Sequence, residues 1–135
     1  MKNNLLKAIQ TKLVPLPVGP YSQAVALESA QRLVFVSGQL PIDMATGKLA
    51  DENITLMTRR ILTAIKNILA ESGSSMENVV RVEIFCTALK QDFVAINNEY
   101  ALHFADETKP ARQTIEVSAL PMGSPVEISC IAAIP

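Results

Sequence analysis

The 135-residue chain carries 12 Lys and Arg against 13 Asp and Glu, a formal net charge of −1 with a pI near 5.8. That length fits one domain over 1–135. It rules out an alternating strand–helix barrel or two catalytic lobes, and the charge balance argues against the concentrated basic face of a nucleic-acid-binding module. Hydrophobic residues make up 49% and charged residues 19%, whereas average chains are about one-quarter charged. Either the protein is sparingly soluble, or part of its surface is buried against another subunit.

In chain order, Ala8–Thr11 fits a short strand. The segment 13–20 holds Pro15, Pro17 and Pro20 and is a loop of restricted φ. Residues 22–27 and 32–37 are β-branched and apolar enough for two strands, with ESAQ (28–31) as a hairpin turn between them. The stretch 37–53 is a long loop with a tight turn at Thr46-Gly47. From Ile54 to Glu71 the apolar residues Ile54, Met57, Ile61, Ile65, Ile68 and Leu69 recur every three or four positions, the stripe of an amphipathic helix. Asp51 or Asn53 caps its start, and Gly73 suits a left-handed stop. A buried strand follows over 79–87. Asp92 is expected to cap a second helix, with Phe93, Ile96, Asn97, Tyr100 and Phe104 on one side. Residues 112–117 and 126–132 close the chain as strands joined by SALPMGSP.

This order predicts an α+β fold, a mostly antiparallel sheet with two helices covering one face. The second sheet face then has no helix of its own, yet Val34, Phe35 and Val36 are apolar in succession. Such runs are expected where both faces are buried, so the second face is expected to pack on another copy of the chain.

Cys86 and Cys130 sit in apolar runs without a CxxC or a His cluster, as reduced core thiols do, pointing to a reducing cytoplasmic setting. No apolar run approaches the ~18 residues of a membrane span. The N-terminal stretch, with Lys2, Lys7 and Lys12, lacks the continuous apolar core of a secretory signal. Phosphate loops, HExxH, nucleophile elbows and metal-spaced ligands are absent, so neither a metal nor another cofactor is expected. His103 is the sole histidine, with no acid or nucleophile at a fixed spacing, which makes a Ser-His-Asp relay improbable.

A few polar residues beside strand ends remain. Arg112 is either a solvated strand cap or a bidentate clamp for a carboxylate. Glu127 is either an outward strand residue or a partly desolvated acid–base group. Tyr21 is pinned in GPYSQ. Gly38 leaves room for a ligand at its backbone N–H, and Asn97 is polar on an apolar helix face. Physics alone reaches a small domain that could bind a small carboxylate between subunits.

The motifs PVGPYSQAV (17–25), FVSGQLPID (35–43), TG (46–47), DFVAINNEY (92–100), PARQTIEV (110–117), LP (120–121) and VEI (126–128) stand in order at the separations of one family. The chain resembles the RidA (YjgF-type) family, the reactive-intermediate imine and enamine deaminases, from Pro17 to Ala132. The resemblance implies a chorismate-mutase-like trimer with clefts between neighbouring subunits. It also implies hydrolysis of 2-imino and 2-enamino acids such as 2-aminoacrylate and 2-iminobutanoate to 2-oxo acids and ammonia, which protects pyridoxal-phosphate enzymes. By position, Arg112 would clamp the substrate carboxylate, and the Gly38 N–H would contact the substrate. Glu127 would orient or deprotonate the attacking water, Tyr21 would hydrogen-bond substrate or water, and Asn97 would line the pocket. Neither nucleophile nor cofactor is required, because an imine carbon is already electrophilic. Thr114 stands where the family often has Cys, Met57 where it often has Gln, and Ser129 where it often has Glu. These departures bear on pocket shape and substrate range. Thr114 preserves a backbone carbonyl at the water site without offering a thiol. A ribonuclease or translation inhibitor, and a non-enzymatic 2-oxo acid binding protein, are the competing functions.

Overall fold

The longest apolar stripe becomes the longest helix. In the computed structural model, which describes residues 4–29 and 32–135, α1 runs over Ile54–Glu71 and buries Met57, Thr58, Ile61, Leu62, Ile65 and Leu69. Ile54 and Ile68 pack against the same core from its margin. Thr58 joins an apolar row because its hydroxyl donates to the Ile54 carbonyl at 2.8 Å, within the helix. Of the two candidate caps, Asn53 is the one used. Its Oδ1 accepts from the Leu56 N–H at 2.9 Å, one of the donors a helix start leaves without a partner. Asn53→Ala is expected to cost about 1 kcal/mol, roughly 3–4 °C in Tm for a chain of this size, while Asp51→Ala should stay within about 0.5 kcal/mol; thermal melts of the two variants check this. At the far end Gly73 has φ +79°, and the N–H groups of Gly73 and Ser74 return to the carbonyls of Ala70 and Leu69, closing the helix in the left-handed way expected of glycine.

The strands are β1 (Leu6–Ile9), β2 (Ala24–Leu27), β3 (Arg32–Gln39), β4 (Ile42–Asp43), β5 (Lys48–Leu49), β6 (Val79–Cys86), β7 (Ala111–Glu116) and β8 (Val126–Ile134). The main sheet has the order β3-β8-β6-β7. Its pairs are antiparallel except β6 with β7, which is parallel. The parallel pair requires a crossover, and α2 (Leu89–His103) supplies it. The α+β class with two helices stands, with a mixed sheet.

Five local expectations are corrected. The first strand lies at Leu6–Ile9 rather than Ala8–Thr11. The expected β2–β3 hairpin is replaced: β2 pairs with β1, and β3 pairs with β8. Half of the proposed turn, residues 30–31, lies outside the described residues. The long loop contains the small β4–β5 hairpin, turning at Thr46-Gly47 as expected with Gly47 at φ +70°. Asp92 does not cap α2. Its own N–H already bonds the Ala88 carbonyl at 2.9 Å, so it sits inside the first turn. It is buried, and that burial raises its pKa. The Leu89 N–H is instead capped at 2.9 Å by Glu116, from the end of β7. Phe93 is displaced from the inward row for the same reason. The helix starts earlier, Asp92 and Ile96 take the buried positions, and Phe93 remains 39% exposed.

Both helices contribute to one core. Ile61, Leu62, Ile65 and Leu69 of α1 and Ile96 and Tyr100 of α2 cluster with Val82, Ile84 and Cys86 of β6 and Val126, Ile128 and Cys130 of β8. Alternation along β6 and β8 sends the intervening residues to the other face. That face carries Phe35, 69% exposed, beside an Arg81–Glu83 ion pair at 3.3 Å and an Arg81–Gln113 hydrogen bond at 2.8 Å. The apolar succession Val34–Phe35–Val36 is therefore divided between the two faces, with Val34 and Val36 packed toward the helices and Phe35 left open.

Candidate functional site

The proline-rich loop is fastened to the start of β7. The Ser22 N–H donates to the Pro110 carbonyl at 3.1 Å, and the Ser22 hydroxyl donates to the Lys109 carbonyl. Lys109 in turn holds the end of α2 through Nζ, which donates to the Phe104 carbonyl at 2.9 Å. Inside the loop the Tyr21 N–H bonds the Gly19 carbonyl at 2.8 Å, and the Tyr21 hydroxyl accepts from the Val18 N–H at 3.3 Å. These contacts set the Tyr21 ring 5.8 Å from the guanidinium carbon of Arg112.

Arg112 is the centre of the arrangement. One terminal nitrogen donates to Asn97 Oδ1 of α2 at 2.7 Å. The guanidinium carbon lies over the Tyr100 ring at 4.8 Å from its centroid. A Cβ on Gly19 would sit 3.5 Å from the other terminal nitrogen, so the loop backbone runs alongside that edge of the fork. Burial disfavours the charge and lowers the Arg112 pKa. Among the described residues no carboxylate forms an ion pair with it. A half-buried guanidinium held by an amide and two rings, but by no anion, has an uncompensated desolvation cost that a bound carboxylate would offset. Thr114, two residues along β7, has a buried hydroxyl without a hydrogen-bond partner among the described residues.

Gly38 and Glu127 form a second cluster. The register of β3 against β8 shifts between Val36 and Gln39, and the Glu127 side chain fills the space where Gly38 lacks a Cβ. A Cβ there would lie 2.6 Å from Glu127 Cδ.

The two clusters lie on opposite faces of the sheet. Arg112 is in register with Val82, which is in register with Cys130, the row that faces the helices. Glu127 pairs with Phe85, which pairs with Ile115, the row on the open face. The chain thus brings Arg112, Asn97 and Tyr21 together, and Gly38 and Glu127 together, without joining the two groups. Parity along a strand gives each residue's alternation, but only the cross-strand register compares residues 112 and 127.

His103 lies 3.7 Å from Glu99, whose buried carboxylate is paired at 2.5 Å with Arg59 on α1. Cys86 and Cys130 are free and buried; burial raises the Cys86 thiol and pushes Cys130 up to about 12, which keeps both thiols protonated at neutral pH. Among the described residues no group of three or more His, Cys, Asp or Glu could hold a metal ion, and no helix is long and apolar enough to cross a membrane. Sequence reasoning missed Tyr100. It places Tyr100 on one helix side with Asn97, as the spacing of three requires, but assigns it no part in the site.

Comparison with known proteins places these features in a family. A family model described as Endoribonuclease L-PSP matches residues 11–134. Protein DfrA of Myxococcus xanthus is 42% identical over 132 residues, covering 98% of this chain and 98% of that protein. The 2-iminobutanoate/2-iminopropanoate deaminase of Capra hircus is 36% identical, covering 98% of this chain and 93% of its own. The crystal structure of E. coli TdcF with bound serine aligns at a TM-score of 0.71 with 33% identity, covering 96% of this chain and 99% of the other. A fold and a sequence match that run together over nearly the whole chain make it a member of the Endoribonuclease L-PSP family, the RidA or YjgF-type proteins.

Proposed function

We propose that this chain hydrolyses short 2-imino and 2-enamino acids to 2-oxo acids and ammonia, in clefts shared between subunits of a homotrimer. The observation that carries the reading is Arg112: a half-buried guanidinium with a firm amide partner, aromatic neighbours and, among the described residues, no paired carboxylate. That arrangement suits a ligand carboxylate, and an imino acid has one beside its reacting carbon. The Capra hircus relative is named for this activity, and the E. coli relative was solved with serine, a small amino acid bearing the same carboxylate.

In the reaction Arg112 binds the carboxylate and fixes the C2 carbon beside it. Glu127 accepts a proton from water as the water oxygen bonds to C2 and the C=N π electrons move to nitrogen. Protonated Glu127 gives that proton to the nitrogen, completing the carbinolamine; Glu127 then carries the C2 hydroxyl proton to the amine, the C–N bond breaks, and ammonia leaves as the C2 carbonyl forms, with Glu127 again a carboxylate. The imine is electrophilic enough that orientation and proton handling supply the acceleration. Tyr21 and Asn97 line the carboxylate end, the Gly38 N–H contacts the substrate, and the Thr114 hydroxyl is a further hydrogen-bonding group on the Arg112 face. The residues of both clusters lie in a soluble cytoplasmic protein in this reading, which involves no cofactor, nucleic acid or membrane.

The opposite-face placement of the clusters supports a shared cleft. Arg112 from one subunit and Glu127 from its neighbour can meet one substrate molecule, whereas within one chain they cannot. The open sheet face bearing Phe35 is the surface such packing would cover. The trimer predicts a mass in solution of three times 14.6 kDa; a monodisperse monomer at micromolar concentration rejects the shared cleft. It also predicts complementation. Trimers reassembled from equal amounts of Arg112→Ala and Glu127→Gln chains should regain about one quarter of the wild-type rate, because random head-to-tail pairing leaves that share of clefts intact. No recovery would place both groups in one chain's site.

The direct test supplies the imine of threonine from a pyridoxal-phosphate dehydratase and follows 2-oxobutanoate release. Acceleration by the wild-type trimer is expected. Its absence with imines of serine, threonine and bulkier amino acids rejects the enzyme, leaving 2-oxo acid binding without turnover to be measured directly. The family description favours RNA cleavage as a second reading. Cleavage that tracks the repurified trimer and survives Arg112→Ala would support that reading against the deaminase.

A further inference from the structure

The Arg112 clamp depends on more than its hydrogen bond. Arginine has several rotatable bonds, and one hydrogen bond, from a terminal nitrogen to Asn97 Oδ1 at 2.7 Å, leaves the guanidinium plane able to tilt about that contact. A carboxylate taken bidentately needs the plane as well as the position. Tyr100, one helical turn beyond Asn97 on α2, lies with its ring 4.8 Å from the guanidinium carbon, which stands over it. The ring is itself held. Tyr100 is fully buried, and its ring packs on Phe104 with 4.4 Å between centroids and 30° between planes. Among the described residues the Tyr100 hydroxyl has no hydrogen-bond partner, so it ties neither the ring nor the arginine to any of them. The contact that reaches Arg112 is the aromatic face, to which a guanidinium is attracted by the ring quadrupole.

We propose that Tyr100 is the positioning residue of the clamp: its aromatic face fixes the plane of the Arg112 guanidinium for carboxylate binding, and its hydroxyl is dispensable. The proposal rests on Arg112 being a carboxylate clamp. It assigns α2 a double role, with Asn97 setting where the guanidinium sits and Tyr100 how it lies.

The experiment compares Tyr100→Leu, which removes the ring, with Tyr100→Phe, which keeps it. Each is measured for binding of 2-oxobutanoate and of its neutral carboxamide, for kcat and KM, and for Tm. Tyr100→Leu is expected to weaken 2-oxobutanoate binding and raise KM by about tenfold, with kcat and carboxamide binding within about threefold of wild type. Tyr100→Phe should restore 2-oxobutanoate binding to within about twofold of wild type and melt no lower, since the hydroxyl it lacks has no partner. A purely structural role lowers the active fraction without this dependence on ligand charge. The proposal is overturned by a folded Tyr100→Leu variant with unchanged 2-oxobutanoate affinity, by equal weakening toward acid and amide, or by Tyr100→Phe losing as much as Tyr100→Leu. Should Tyr100→Leu fail to fold, NMR of the Arg112 Nε–H group decides. An ordered group with an upfield ring-current shift, kept in Tyr100→Phe, supports the platform, and a disordered group in the wild type overturns it. Wild-type protein that binds no 2-oxo acid removes the clamp and the proposal with it; wild-type binding that ignores ring removal refutes the proposal alone.

Discussion

Arg112→Ala is expected to lower kcat/KM for 2-imino acids by about 10³-fold, on the order of 4 kcal/mol of transition-state stabilisation. The size follows from where the guanidinium sits. It is partly withdrawn from water, hydrogen-bonded to Asn97 at 2.7 Å and, among the described residues, paired with no carboxylate, so a bound substrate carboxylate supplies the missing charge. Arg112→Lys should recover only part of the loss, because a point charge replaces the planar fork and forfeits the contact with the Tyr100 ring. The stability change should run differently. The wild-type chain bears the cost of holding this charge where burial lowers its pKa, so Arg112→Met, which fills similar space without charge, should keep stability within about 1 kcal/mol of wild type. The dehydratase-coupled assay and a thermal melt on the same samples separate the two effects. Undiminished kcat/KM in Arg112→Ala would end the clamp assignment, and a parallel collapse of Tm would make Arg112 a structural residue.

Gly38→Ala should produce the second largest effect on rate while leaving the fold intact. A Cβ at this position meets Glu127, 2.6 Å from Cδ and 3.0 Å from Cγ. The obstacle is the far end of a flexible side chain, so the carboxylate moves rather than the strand. Gly38 is not among the glycines with positive φ, which are Gly47, Gly73 and Gly123, so its backbone accepts alanine, and the lower unfolded-chain entropy of alanine can add about 0.5–1 kcal/mol of stability. Displacing a proton-transfer group by about 1 Å costs on the order of 10²-fold in rate. The expected result is therefore kcat reduced about 100-fold with Tm equal to or above wild type. Adding Gly38→Ala to Glu127→Gln should cost far less than the product of the single effects, since both act through one carboxylate. Additive losses would show that Gly38 acts separately from Glu127, through its own N–H or the strand.

These two variants fall in the two halves of the site, and the sequence exposed the members of each half unequally. Arg112, Glu127, Gly38, Tyr21 and Asn97 stood out as polar or small residues in apolar settings. Their grouping did not, because the side of the sheet a residue faces depends on register across β6. A one-residue slip reverses every side chain on a strand. Tyr100 stayed hidden for another reason. A tyrosine inside an apolar helix stripe has the pattern of core packing whether or not an arginine lies across its ring.

The same division runs through the fold. The amphipathic repeat over α1, its Asn53 start and its Gly73 stop were legible because helix periodicity and capping act within a few residues of chain. The segments of β2, β3, β6, β7 and β8 were legible in the same local way, whereas β1 lies two residues before its expected place and two-residue β4 and β5 are too short to show a period. Local signals reached only part of the pairing. Neighbouring strands β2 and β3 invite a hairpin, yet β2 lies against β1 and β3 against β8, because burial of Val36 beside Cys130 and Ile128 depends on residues about ninety positions away. The shortage of charge with which the sequence begins, 19% against 49% hydrophobic, was visible without a structure, as was the family, since both are properties of the residues alone. Tertiary structure decided where the consequence falls. It separated Val34 and Val36 from Phe35, left Phe35 on the face without helices, and put Arg112 and Glu127 on opposite sides of one sheet. The physical reason is that composition and periodicity are local sums, whereas a face exists only once long-range pairing has fixed which strands are neighbours and in what register.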